Sequence, residues 1–136
     1  MASIETRLSG FNNIALLIGR ILIGALFLIA SYNKFKGLGG SVGYFTKLGV
    51  PSPSIAAPVI AAFELAAGIL IIAGYWTRFV ALAIGVFCVI AAYLAHTDFA
   101  NANQLNHFLK NLAIAGGCLA LFVSGAGSYS MDARRR

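Results

Sequence analysis

Four apolar runs, each close to the length of a bilayer-spanning helix, leave this 136-residue chain little choice of solvent. The hydrocarbon core of a bilayer is about 30 Å thick, which takes about 20 residues at a rise of 1.5 Å per residue. The runs lie near Ile14–Lys34, Ile55–Tyr75, Phe79–Ala95 and Phe108–Gly127. Inside hydrocarbon each backbone N–H and C=O must find a partner within the protein, so each run reads as a helix. The composition agrees. Only 10% of the residues are charged and 60% are hydrophobic, whereas a soluble domain carries about 25% charge to cover its surface. The expected fold is all-α, an integral membrane four-helix bundle forming a single domain over 1–136.

The connections are unequal. Between the second and third spans lies only Gly74-Tyr75-Trp76-Thr77-Arg78, a tight turn with an aromatic pair and a cation, as at a membrane interface. Between the first two spans, Val42 to Leu48 carries aromatic and apolar residues with Lys47 and reads as a short interfacial helix. Pro51 and Pro53 are expected to stop it, and Pro58 to sit in the first turn of the second span, where proline is tolerated. His96 to His107 reads as a polar loop, which places Lys110 and Asn111 in the first turn of the fourth span. The first run carries Arg20 within it and ends at Tyr32-Asn33-Lys34-Phe35-Lys36, unlike a cleaved signal sequence.

An even number of spans puts both termini on one side with Arg7, Arg78 and the Arg134-Arg135-Arg136 tail. Lys34, Lys36, Lys47 and Lys110 fall on the other side. The positive-inside rule then favours cytoplasmic termini. The net charge of +6 is explained by this topology and by anionic lipid, and nucleic acid is not an expected partner.

Two charged residues, Arg20 and Glu64, fall deep within spans. At helical spacing Arg20, Gly24, Phe27, Ser31 and Lys34 share one stripe, and Ala57, Ala61, Glu64 and Gly68 share another. Small residues let helices approach closely in lipid, so both stripes are expected to face inward. Arg20 lies roughly 21 Å below the outer end of its span and Glu64 roughly 13 Å below the outer end of its own, by the rise per residue. The difference of about 8 Å is within reach of two extended side chains, so an Arg20–Glu64 ion pair is feasible. A charge at the centre of a span costs about 2.5–3.5 kcal/mol on insertion scales. Such residues therefore pair, fix helix register, or line a polar site.

A second polar group gathers near the outer surface: Lys34, His96, His107, Lys110 and Asn111. The ligand-site candidates are Arg20, Lys34, Glu64, His107, Lys110 and Asn111, with no catalytic residue assigned. The histidines lack a third ligand at a recognisable spacing, so no metal site is expected. Cys88 and Cys118 lie at similar depths, roughly 13 Å from the inner ends of their spans by the rise per residue. They could face one another as a redox pair, but a buried free cysteine is most often a small hydrophobe. Neither belongs to a Cys-x-x-Cys pair.

Several motifs, in this order and spacing, resemble the DoxX family of small bacterial membrane proteins. They are Gly19-Arg20-Ile21-Leu22 with Gly24, Phe27-Leu28 and Lys34; Tyr44-Phe45 with Leu48-Gly49-Val50-Pro51; and Phe63-Glu64-Leu65 with Gly68, then Gly74-Tyr75-Trp76-Thr77-Arg78. Lys110-Asn111-Leu112 with Gly116-Gly117, and Gly125-x-Gly127 with Ser130-Met131-Asp132, complete the set. The resemblance implies a four-helix bundle in the bacterial inner membrane. Members are connected with thiosulfate:quinone oxidoreduction, quinol oxidase complexes and oxidative-stress assemblies. By this resemblance Arg20, Lys34, Glu64, Lys110 and Asn111 match the family's characteristic polar positions.

Three functions follow as expectations. One is a quinone-linked oxidoreductase subunit, with quinone as cofactor and a redox subunit as partner; no haem, flavin or iron–sulfur motif is present. Another is a non-enzymatic anchor or assembly partner, using the interfacial loop and the arginine tail. The last is a small-molecule or proton transporter, for which four spans are few unless the chain forms a homo-oligomer.

Overall fold

The computed structural model describes residues 2–135. It contains α1 (Ala2–Lys36), α2 (Leu38–Lys47), α3 (Pro53–Ala73), α4 (Thr77–Ala95), α5 (Ala102–Ser124) and a last turn, α6 (Met131–Arg134). Helices α1, α3, α4 and α5 are long and apolar enough to cross a membrane. The fold is an all-α membrane bundle of four such helices, with α2 as the short helix between the first two. Arg136, the end of the expected arginine tail, lies outside the described residues.

The spans extend beyond their apolar runs wherever local chemistry continues the helix. Helix α1 starts at Ala2 rather than near Ile14. Ile4, Leu8 and Phe11 recur at helical spacing, and Glu5 complements the positive end of the helix dipole. Its 35 residues span roughly 52 Å at 1.5 Å per residue, well beyond the hydrocarbon thickness. Helix α5 starts at Ala102 rather than near Phe108, because the Asn101 side chain accepts the Asn103 N–H at 3.0 Å and caps it. His107 therefore lies within the helix, and Lys110 and Asn111 lie about two turns in. Helix α5 also ends before Gly127, at Ser124, where Gly125 turns to φ +78. Pro53 opens α3 instead of stopping α2, since proline fits the first helical turn. Pro58 consequently lies one turn deeper than expected.

Helix α1 runs antiparallel along α3, and α4 along α5. Both expected stripes face inward: Arg20, Phe27 and Ser31 on α1 are buried, as are Ala57, Ala61 and Glu64 on α3. The α1–α3 contact is closest at Gly24 and Gly68. A Cβ on Gly24 would lie 2.3 Å from Ile72 Cγ1 and 2.8 Å from the Gly68 carbonyl oxygen. Seven residues further on, the Ser31 hydroxyl donates to the Ala61 carbonyl at 2.8 Å. The two helix pairs meet in one apolar cluster that includes Phe27, Ile71, Ile84, Cys88, Cys118 and Leu121. Cys88 and Cys118 are both buried there as free thiols.

Because lipid supplies no hydrophobic force between helices, this close seam carries much of the α1–α3 attraction. Gly24→Val should therefore destabilise the fold by about 1–3 kcal/mol, the usual cost of overpacking. A thermal melt in detergent that matched the wild type would show that the seam is not needed.

Candidate functional site

Close packing at Gly24–Gly68 and the Ser31–Ala61 bond set the register of α1 against α3, which brings Glu64 level with Leu28. Lys34 lies six residues from that level toward the C-terminal end of α1 and Arg20 eight toward its N-terminus, or roughly 9 Å and 12 Å along the axis. Distance alone barely separates them as partners. Direction does. Side chains on a helix lean toward its N-terminus. In antiparallel helices Lys34 and Glu64 therefore lean toward one another and converge, while Arg20 leans away from Glu64. The feasible Arg20–Glu64 pair is accordingly not formed. Lys34 Nζ instead donates to both Glu64 oxygens, at 2.9 and 3.0 Å. Glu64 is 3% exposed, and the Lys34 side chain keeps 25% exposure.

This ion pair lines a cavity of about 390 Å³ in the half of the bundle where α1 ends and α3 begins. Phe27 and Phe87, packed edge to face with centroids 6.1 Å apart, supply apolar wall. Tyr44 of α2 covers one side, and His96, Lys110 and Asn111 contribute polar groups from α4 and α5. The cavity is apolar over most of its surface and cationic at its polar end. Three of the ligand candidates outside the ion pair thus separate in space. Lys110 and Asn111 line the cavity. His107 does not line it, but stacks on His96 with ring centroids 5.0 Å apart. Burial, then the neighbouring His107 and Lys110, hold the His96 imidazole below its ordinary value of 6.5. His96 is thus neutral near pH 7 and accepts a proton only in more acidic solution. Among the described residues no group of three His, Cys, Asp or Glu is placed to hold a metal ion.

Arg20, a ligand candidate by sequence, sits at the opposite end and closes a structural junction. Its guanidinium is fully buried, at 0% exposure. It donates to the carbonyls of Ile72 at 2.9 Å and Ile71 at 3.4 Å, and to that of Tyr129. The last carbonyls of a helix lack intrahelical partners and carry the negative end of its dipole. Arg20 therefore caps α3 and ties the C-terminal segment to it. The adjoining turn depends on this packing: Gly74 adopts φ +69, and a Cβ there would lie 2.3 Å from Arg20 Nη1.

The tail caps α4 in turn. Asp132 accepts the N–H groups of Trp76 at 2.8 Å and Thr77 at 2.9 Å, and its own N–H donates to the Gly74 carbonyl at 2.9 Å. Ser130 caps the short α6 through the Ala133 N–H. Trp76, at φ +49, offers no side-chain cap of its own to α4. The role of Asp132 is not evident from sequence, since 55 residues separate it from Thr77. The visible signal is the Ser130-x-Asp132 pair behind Gly125 and Gly127, an N-cap pattern beyond the last span.

Comparison with known proteins places this architecture. The DoxX family profile matches residues 15–97. The chain belongs to the DoxX family. It is 36% identical to the Escherichia coli protein named "Inner membrane protein YqjF", covering 89% of this chain and 92% of that one. It is 35% identical to the E. coli "Inner membrane protein YphA", covering 89% and 90%. A Bacillus subtilis protein named "Putative oxidoreductase CatD" is 39% identical over 49% of this chain and 48% of its own length. No solved structure matches the chain significantly.

Two outcomes test this division of labour within the DoxX fold. Glu64→Leu leaves the Lys34 ammonium facing an apolar cavity. It should cost about 1–3 kcal/mol, less than the about 3–5 of a fully buried pair because Lys34 retains access to solvent. The double variant Lys34→Met, Glu64→Leu should recover part of that loss in a thermal double-mutant cycle. If both single changes simply add, the ion pair contributes nothing. The tail junction is sensitive to acid. Burial raises the Asp132 pKa, but the bonds from Thr77 and Trp76 and the charge of Arg135 outweigh it and hold the carboxyl below its ordinary 3.8. A depressed carboxylate stabilises the fold above its unfolded value and loses that contribution as pH falls through its folded value. Limited proteolysis should therefore release the tail only below about pH 4. Asp132→Asn should release it at neutral pH.

Proposed function

We propose that this DoxX protein is a quinone-binding component of a membrane redox system, with the quinone head held in the cavity beside Lys34 and Glu64. The observation that carries the reading is the Lys34–Glu64 pair, set with Lys110 and Asn111 at one end of an otherwise apolar and aromatic cavity. An intramembrane ion pair facing a cavity marks a ligand or proton site by default. The volume falls within the about 300–1,000 Å³ of small-molecule pockets. A planar ring with carbonyl oxygens suits this lining. Phe27, Phe87 and Tyr44 would pack against the ring, while Lys110 and Asn111 would donate to a carbonyl oxygen. Glu64 and His96 are the groups able to accept or release protons there. When bound, a quinone supplies two-electron redox chemistry, and a partner subunit would exchange those electrons. The name of CatD, which matches over about half of each chain, supports an oxidoreductase setting.

The names of the two E. coli relatives support the inner membrane as the location. The arginines of the tail and turn support cytoplasmic termini. A reporter fused to the C-terminus should be active in its cytoplasmic form, and activity only outside the cytoplasm would reverse the orientation.

Protein purified in mild detergent should yield quinone on organic extraction. Lys110→Ala should yield several-fold less while melting at nearly the wild-type temperature once the quinone is removed. If no quinone co-purifies, and a short-chain quinone leaves the melting temperature unchanged, the reading fails. The assembly-partner reading gains one observation: α1 projects beyond the bundle with Ile4, Leu8 and Phe11 exposed. It predicts a stoichiometric partner that is lost when residues 2–11 are removed, with quinone content unaffected.

A further inference from the structure

The other end of the bundle holds a second concavity, which takes no part in the cavity around Lys34 and Glu64. It has a volume of about 740 Å³ and is lined by Asn13, Trp76, Arg78, Phe79, Asp132 and Arg135, together with the chain after α5. Its charge is unbalanced. Arg78 is exposed and makes no ion pair or hydrogen bond among the described residues. Its guanidinium has room because Gly125 lies beneath it, where an added Cβ would come within 3.3 Å of Arg78 Nε. Arg135 lies over the Tyr75 ring, 4.9 Å from its centroid, and 4.0 Å from Asp132. The Asp132 carboxylate opposes an anion, but its oxygens are committed to the Trp76 and Thr77 N–H groups. The two arginines leave the pocket net positive. Asn13 spends its Oδ1 on the Ser128 N–H at 3.0 Å, so its amide NH2 remains a free donor.

The depth of the pocket identifies what meets it. Arg78 is in the first turn of α4, directly after the Tyr75–Trp76 pair, whose ring centroids lie 4.9 Å apart. Aromatic pairs at helix ends sit at the headgroup level of a bilayer. Trp76 and Phe79 are both exposed at the same rim and present an apolar wall beside the cations. Lipid phosphates occupy that level, and arginine binds phosphate through two parallel N–H donors. A free inorganic anion would use the arginines but not the apolar rim. Basic pockets at the ends of transmembrane helices suit anionic headgroups.

We propose that this pocket binds the headgroup of an anionic phospholipid, its phosphate on Arg78 with Arg135 as second contact and its glycerol and acyl chains against Trp76 and Phe79. The lipid would sit where α1, α4 and the C-terminal tail meet, and so would brace the junction built by Arg20 and Asp132.

The test is a thermal titration of the full-length protein in neutral detergent with short-chain phosphatidylglycerol, short-chain phosphatidylcholine or inorganic phosphate. Phosphatidylglycerol should raise the melting temperature saturably, and the other two should not. Arg78→Ala should weaken the half-saturating concentration about fivefold or more, the effect expected of one interfacial arginine. Arg78→Lys should recover part of it. Arg78 is exposed and unpaired, so its truncation leaves no buried group without a partner; should that variant nevertheless fail to fold, Arg135→Gln is read in the same way. Equal response to phosphatidylcholine, an unchanged half-saturation in the variant, or equal stabilisation by inorganic phosphate would each overturn the proposal. None of these outcomes bears on quinone in the cavity beside Lys34 and Glu64, which is read by extraction.

Discussion

Gly24 and Gly68 bring the backbones of α1 and α3 into contact over a short stretch, and nearly every polar feature takes its position from that contact. Two helices that touch through glycine carbonyls cannot slide by a residue without driving Ile72 or Leu28 into the facing backbone. The register therefore places Ser31 on the Ala61 carbonyl, Lys34 on Glu64, and Arg20 on the end of α3. In water a hydrophobic interface could tolerate some slippage. In lipid the attraction comes from close packing and a few polar bonds, so register and polar geometry are set together.

The result is a bundle with two different polar ends. At the end where α1 finishes, a carboxylate and an amine face an apolar cavity, a cost in hydrocarbon that a purely structural pair could avoid by being replaced with packed apolar residues. At the opposite end Arg20 and Asp132 use their charge on helix termini, which is an ordinary structural use of charge in a fold. Both arrangements serve the same requirement, that backbone ends and buried charges find partners in lipid, although Arg20 Nε itself is left without one. The Lys34–Glu64 arrangement leaves polar side chains at one end of an apolar, aromatic volume large enough for a ring, whereas the Arg20–Asp132 end opens onto the basic concavity beside Arg78.

Much of the architecture is legible in the residues. Spans follow from run length, and the inward stripes follow from the spacing of Arg20, Gly24, Phe27 and Ser31 and of Ala57, Ala61, Glu64 and Gly68. Lys34, Lys110 and Asn111 are legible in the sequence as one polar group, with Glu64 read apart from them beside Arg20, and the structure brings all four to one cavity. The partner of Glu64 was not legible from depth alone, because depth ignores the lean of side chains toward helix N-termini. Helix ends were not legible from apolarity either. The caps at Asn101 and the glycine at position 74 act through hydrogen bonds and backbone angles that hydropathy does not record.

The sequence by itself determined that this chain lives in a membrane, spans it four times and turns two small-residue stripes inward. Those properties depend on how many apolar residues occur in a row and on a period of 3.6, both of which are local. Only the tertiary structure decided which charge meets which. It sent Lys34 rather than Arg20 to Glu64, and it carried Asp132 across 56 residues to the N-terminus of α4. Such pairings depend on register, side-chain direction and chain return, which exist only once the helices are packed against one another.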